Sequence, residues 1–196
     1  MIENKKMEEL LLRIRVCTFC EEHLPLGPNP IVSAHKNAKI VLLSQAPGRI
    51  AHELTKAWHD PGGRQLRKWL DVTEDQFYNP ENFAIVPIGF CYPGKAKTGD
   101  LPPRPECAPL WHELLLAQMP NVNLTILIGA YAQKYYLKEK AKRTLTETVG
   151  EYQFYLPDYF PIPHPSPTNR FWIRKNPWFE DLVVPELRNK IRNLIK

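Results

Sequence analysis

Residues 39–44 read Lys-Ile-Val-Leu-Leu-Ser and run straight into Gln45-Ala46-Pro47-Gly48. Ile40 to Leu43 leave no polar face, so the stretch predicts a buried strand, and Pro47-Gly48 marks its end. The pattern recurs downstream. Residues 83–88 (FAIVPI), 124–129 (LTILIG) and 159–163 (YFPIP) are short apolar runs punctuated by Gly or Pro. The segments between them carry a helical period. Residues 63–70 (GRQLRKWL) put Leu66, Trp69 and Leu70 on one face. Residues 107–118 (CAPLWHELLLAQ) read as a helix with Pro109 near its start, and another helix follows across residues 131–136. A short amphipathic helix over residues 6–16 precedes the first strand. A last one over residues 177–195 has Pro177 near its start and Leu182, Val183, Leu187, Ile191 and Leu194 apolar. Strands alternating with helices predict an α/β fold, a three-layer α/β/α sandwich around a central, mostly parallel four-stranded sheet. The 196 residues suit one domain over 1–196, with residues 1–35 (the N-terminal helix and a Cys-bearing segment) packed on it.

Composition narrows the class. Pro is used 20 times, roughly twice the average rate, in a chain that is 43% hydrophobic and 24% charged. That balance is globular, so the Pro stiffen ordered loops rather than mark disorder. A net charge of +5 is compatible with nucleic acid but does not require it. No apolar run approaches the roughly 20 residues that span a bilayer. The charged start MIENKKMEEL lacks the apolar stretch of a signal peptide, so a cytoplasmic protein without a membrane partner is expected.

Four Cys are present, Cys17 and Cys20 as C-x2-C and Cys91 and Cys107 as C-x15-C. In a reducing compartment such pairs bind metal or do redox work more often than they form disulfides. No strand precedes Cys17, which argues against a thioredoxin-like pair. Two thiolate pairs can close a tetrahedral zinc site or hold a [4Fe–4S] cluster. The spacing also allows Cys91 and Cys107 to be unrelated core thiols.

In parallel sheets ligands bind beyond the carboxyl ends of the strands, and the most Pro- and Gly-punctuated segments fall there. Gln45-Ala46-Pro47-Gly48 can expose backbone N–H groups, or be an ordinary turn. Gln45 can orient a water but cannot act as a base near neutral pH. Trp58, just before Gly62-Gly63, suits either stacking on a flat ligand or a core position. His164-Pro165-Ser166-Pro167 holds a His rigidly beyond the fourth strand, placed to hydrogen-bond developing negative charge, with Ser166 able to bind a phosphate oxygen. Arg170, Arg174 and Lys175 interleave with Phe171, Trp172 and Trp178, as a nucleic-acid contact or as a solvated face.

The order of these motifs resembles the uracil-DNA glycosylase superfamily, and its iron–sulfur family 4 branch most, from about Cys17 to Pro177. Ser44-Gln45-Ala46-Pro47-Gly48 stands where that branch carries Gly-Glu-Ala-Pro-Gly, and His164-Pro165-Ser166-Pro167 matches its His-Pro string. The resemblance implies an enzyme that flips uracil or a related deaminated base out of DNA and hydrolyses its N-glycosidic bond in base excision repair. It implies that Gln45 and His164 are catalytic and that Ala46, Pro47, Gly48 and Trp58 bind the base. It implies DNA contacts from Gly62, Gly63, Ser166, Arg170, Arg174 and Lys175. It also implies a structural [4Fe–4S] cluster, or alternatively zinc, on Cys17, Cys20, Cys91 and Cys107, in a protein expected to be a monomer. The chain departs at two places. Gln45 replaces the Glu of that branch, and Pro87 falls near the Asn that reads the uracil edge, so the sequence leaves the base specificity and the catalytic competence open. A non-catalytic nucleic-acid-binding relative and a nucleoside or nucleotide hydrolase are the other readings of this sequence.

Overall fold

The computed structural model describes residues 2–195, with side chains from residue 5 onward; Met1 and Lys196, part of the 1–196 domain reading, lie outside the described residues. The first half of the chain comprises α1 (Ile2–Arg15), β1 (Ile40–Leu43), α2 (Arg49–Leu54), α3 (Pro61–Leu70), α4 (Glu74–Tyr78) and β2 (Phe83–Ile85). The second half comprises α5 (Cys107–Leu116), β3 (Leu124–Ile128), α6 (Gly129–Leu137), α7 (Leu145–Gly150), β4 (Tyr159–Ile162), α8 (Arg170–Lys175) and α9 (Val184–Leu194).

The strands form one four-stranded sheet in the order β2-β1-β3-β4, every pair parallel. Ile40 lies opposite both Phe83 and Leu124, and Ile128 lies opposite Ile162. Successive strand side chains point to opposite faces, and both faces are covered. Val41, Leu43, Ala84 and Leu127 pack with α1, α5 and α6 through Leu10, Ile14, Leu115 and Ala132. Ile40, Leu42, Phe83, Ile126 and Phe160 pack on the other side with α3, α4 and α9 through Leu66, Trp69, Phe77 and Leu187. This is the expected three-layer α/β/α sandwich. Each fully buried Leu or Phe stabilises the fold by about 1.5–3 kcal/mol. β4 is an edge strand, which is why Pro161, lacking an N–H, is tolerated within it.

Several boundaries differ from the sequence reading for definable reasons. Regular β2 ends at Ile85, yet pairing to β1 runs on past Pro87: the Val86 N–H donates to the Leu42 carbonyl at 3.0 Å and the Ile88 N–H to the Ser44 carbonyl at 2.8 Å, so the Pro87 nitrogen faces the outer edge, where no donor is required. The last helix is not continuous over residues 177–195. A π turn, Phe179–Val183, precedes α9, and Pro185 lies in the first turn of α9. A proline ring clashes with the carbonyl four residues back, here that of Asp181, and the widened turn relieves that contact. The phase shift leaves Leu182 exposed while Val183 stays buried. The short helices α2, α4, α7 and α8 have too little apolar period to be read from sequence. Two of them are fixed instead by capping boxes, Thr73 with Gln76 and Thr144 with Glu147.

The chain runs from β1 outward to β2, then returns across the sheet to β3. The strand order therefore reverses beside β1, where parallel sheets open a crevice at their carboxyl end.

Candidate active site

A cavity of about 340 Å³ fills that crevice. Gln45 to Gly48 wall it beyond β1, and Trp58 and Asp60 reach it from the loop before α3. Pro87 lines it after β2, Asp100 from the 94–101 hairpin, and His164 and Ser166 after β4. The structure thus gathers Gln45, Ala46, Pro47, Gly48, Trp58, His164 and Ser166 around one space.

The His164 ring is oriented by its own loop. The Ser166 N–H donates to Nδ1 at 3.2 Å, and the Asn169 side-chain amide donates to the His164 carbonyl at 2.8 Å. With Nδ1 accepting, the ring proton of neutral His164 sits on Nε2. Burial lowers the His164 pKa from its ordinary value, opposed by the nearby Asp60 carboxylate, so the neutral form prevails. Gly129, at φ +81°, opens α6 directly beneath it; a Cβ there would lie 3.2 Å from His164 Cβ. The first turn of α6 therefore leaves the His its space.

Trp58 stands beside His164, ring centroids 5.5 Å apart and planes 33° from parallel. Its backbone is left-handed, φ +57°, an unusual state for a Trp. Two contacts hold it there. The Arg67 guanidinium donates to the Trp58 carbonyl at 3.2 Å. Gly63 approaches that carbonyl so closely that a Cβ would lie 1.7 Å from the oxygen. Asp60 caps α3, accepting the Gly63 N–H at 2.8 Å, with Pro61 following in the first turn. The Gly63 N–H is therefore already paired, and Gly62 beside it is buried. The Asp60 cap was legible as Asp-Pro-Gly-Gly ahead of an apolar period.

Gln45 is tethered: its side-chain Nε2 donates to the Leu101 carbonyl at 3.2 Å. The hairpin so anchored carries Asp100, which the sequence reading missed. One carboxylate oxygen of Asp100 lies 3.6 Å from where a Cβ on Gly48 would be, and its side chain hydrogen-bonds to none of the described residues. No spacing signal pointed to it, because it reaches the cavity from a loop far along the chain. Pro87 lines the cavity without a polar side chain, and its carbonyl is paired too, accepting from His112 Nε2 at 3.0 Å. Burial lowers His112 to about 4, so the ring is neutral; Tyr136 Oη donates to its Nδ1 at 2.6 Å.

Arg170, Arg174 and Lys175 do not line the cavity; they lie on α8, just past the His164 loop. The Arg170 and Arg174 guanidinium carbons each stand 5.0 Å from the Phe171 ring centre, and Phe171 itself is exposed. Together they form a cationic and aromatic surface beside the cavity mouth. Ser166 caps the turn between, its Oγ 2.9 Å from Thr168 Oγ1.

The four Cys line a second cavity together with apolar neighbours including Leu24, Phe90 and Trp111. All four are free thiols, and the Phe90 N–H donates to Cys107 Sγ at 3.3 Å. Burial pushes Cys107 up to about 12 and Cys91 to about 11, and raises Cys20. Among the described residues no three His, Cys, Asp or Glu are grouped so as to hold a single metal ion. The four sulfurs surround one space without closing on one point.

No helix among the described residues is long and apolar enough to cross a membrane. Residues 32–188 match the family model of the Uracil DNA glycosylase superfamily. The matched span holds every segment that lines the first cavity, together with Cys91 and Cys107; Cys17 and Cys20 precede it.

Proposed function

Because the chain belongs to the uracil-DNA glycosylase superfamily, we propose that it hydrolyses the N-glycosidic bond of uracil or a related deaminated base in DNA. The observation that carries this reading is the hydrogen bond from the Ser166 N–H to His164 Nδ1, which reserves Nε2–H for a ligand in the cavity.

The damaged nucleotide leaves the base stack and its base enters the cavity. Ala46, Pro47 and Gly48 form one wall, and the Trp58 indole stacks on the ring. The C1′–N bond breaks with its electron pair passing to the base, leaving oxocarbenium character on the sugar. His164 donates Nε2–H to the base carbonyl oxygen that gains charge, as a neutral donor already oriented before the reaction. Gln45, its Nε2 held by Leu101, has Oε1 left to accept from the attacking water. An amide cannot take the water's proton. Asp60 is engaged at the start of α3, so Asp100 is the carboxylate free to do so as the new C1′–O bond forms. Ser166 meets a phosphate flanking the flipped nucleotide; Gly62 and Gly63, expected at the DNA, are buried, and Gly63 serves by admitting Trp58. Arg170, Arg174 and Lys175 follow the DNA backbone, supplying salt-dependent affinity.

The side chain of Pro87 has no donor or acceptor to read a base, and its carbonyl is already engaged by His112. That favours a substrate range wider than, or shifted from, plain uracil.

Four thiols around one apolar cavity, one of them already accepting a backbone N–H, are the donor set that a cluster takes. Cys17, Cys20, Cys91 and Cys107 would hold a [4Fe–4S] cluster; bound there it supplies a structural clamp. Those residues then fasten the segment ahead of β1 to the 91–107 loop that ends in α5. The enzyme acts as a cytoplasmic monomer on DNA.

The test is a panel of oligonucleotides carrying uracil, hypoxanthine or xanthine, incubated with the protein and with His164→Ala. Release of free base and an abasic strand, lost in the variant, is the expected result. Intact strands throughout, with salt-dependent DNA binding retained, would make the protein a binding relative without catalysis.

A further inference from the structure

Trp111 lies four residues after Cys107 on α5, on the same face of the helix. Helical side chains lean toward the N-terminus, so its indole lies back over the turn that carries Cys107. The residue is 7% exposed and lines the cavity shared by the four Cys. Its Nε1 is buried and has no hydrogen-bond partner.

The other indoles of the core behave differently. Trp69 Nε1 donates to Glu180, Trp172 Nε1 to Thr146, and Trp178 Nε1 to Asn176. A buried N–H left unmade costs free energy, and native structures leave few of them. The lining of this cavity is apolar apart from its sulfurs and Arg104, which is itself a donor. Sulfur is therefore the acceptor chemistry at hand, and the Phe90 N–H already uses it at Cys107. The Arg13 guanidinium, from α1, stands 5.7 Å from the Trp111 ring centre and braces the ring against the segment leading to Cys17.

We propose that the Trp111 indole N–H donates a hydrogen bond to a sulfur of the cluster held by the four Cys, and so tunes its reduction potential. This rests on the cluster reading given above. Donors to cluster sulfurs stabilise the reduced, more negative state and raise the potential. Trp111 is a positioning and tuning residue, distant from the base-binding cavity.

The experiment compares the full chain, purified anaerobically with its iron, with Trp111→Phe and Trp111→benzothienylalanine. The second variant keeps the bicyclic shape and lacks only the N–H. Iron content, visible absorbance and midpoint potential by protein-film voltammetry are read without DNA. Unchanged iron with a midpoint potential more negative in both variants is the expected result. If the phenyl variant loads poorly, the isosteric one decides. An unchanged potential in iron-loaded variants overturns the role of Trp111 and leaves the cluster reading intact. Wild-type protein that takes up zinc, or no metal, overturns the cluster reading and this inference with it.

Discussion

The Gln45 side-chain amide is anchored to the Leu101 carbonyl at 3.2 Å, so the turn after β1 and the 94–101 hairpin form one wall of the cavity. The tether brings Asp100 beside Gly48 and leaves its carboxylate unpaired. It also holds the amide of Gln45 in place, so the one side chain there that can take a proton from water is not on the first motif at all.

Asp100→Asn is accordingly expected to lower kcat by about 10²–10⁴-fold, the usual worth of a general base, with little change in KM. Single-turnover cleavage of whichever base the panel identifies measures this. Gln45→Ala should cost less, because it removes an orienting group and not a proton acceptor. Equal rates for Asp100→Asn and wild type would assign the proton elsewhere.

The His164 pKa is lowered by burial, so its donor state is the neutral ring. A rate that depended on imidazolium would fall as the pH rises through the ordinary His range. Here the rate is expected to hold between about pH 7 and pH 9, and to fall on acidification as Nδ1 gains a proton and repels the Ser166 N–H. A pH–rate profile under single-turnover conditions distinguishes the two.

Gly63→Ala should displace Trp58, since its Cβ would lie 1.7 Å from a backbone oxygen that cannot swing aside. A loss of at least about 1–3 kcal/mol is expected from such overpacking, with weakened base binding. Gly27→Ala, outside the cavity, is the control. It has open space around it and strain only from φ +75°, so it should cost about 1 kcal/mol and leave base binding unchanged. Urea melts and fluorescence quenching of Trp58 by an abasic-site oligonucleotide with free base report the two effects.

His112 makes stability pH-dependent with a definite sign. Its folded pKa of about 4 lies below the ordinary 6.5 of a histidine, so on acidification the unfolded chain takes up the proton first. The stability is fully present above pH 6.5 and is lost as the pH falls toward about 4, at about 1.4 kcal/mol per pH unit. His112→Gln should shallow that slope in urea melts at several pH values. An identical slope in the variant would locate the titrating group elsewhere.

Much of the core was legible because it is repetitive. The apolar runs at Ile40–Leu43 and Leu124–Ile128 predicted buried strands, and both faces of the sheet are covered. Where a local rule competed with the period, the period gave way: Pro185 widened the turn before α9. The site was legible in its rigid loops, since Pro47, Gly48 and the prolines around His164 mark strand ends that converge in a parallel sheet. It was illegible where it depends on distance through space. Asp100 arrives by a hairpin fastened through Gln45, the orphaned N–H of Trp111 shows itself only once the Cys cavity is formed, and the capping duty of Asp60 separates it from Asp100 although both are carboxylates lining one cavity. Spacing alone left the joining of the two Cys pairs open; the fold brings all four to one wall.

Pro87 has a consequence for how a substrate is chosen. Its carbonyl is held from beneath by the buried His112–Tyr136 pair, so that side of the cavity is stiff and Pro87 brings no polar side chain to an incoming base. Under the proposed function, admission would then add to the inspection carried out by His164 and Trp58. A nucleotide is sampled in proportion to how loosely the duplex holds it, because the energy of unstacking and unpairing is lowest for a mismatched or damaged pair. On the same reading, the base opposite the damaged one would then help determine which lesions are processed.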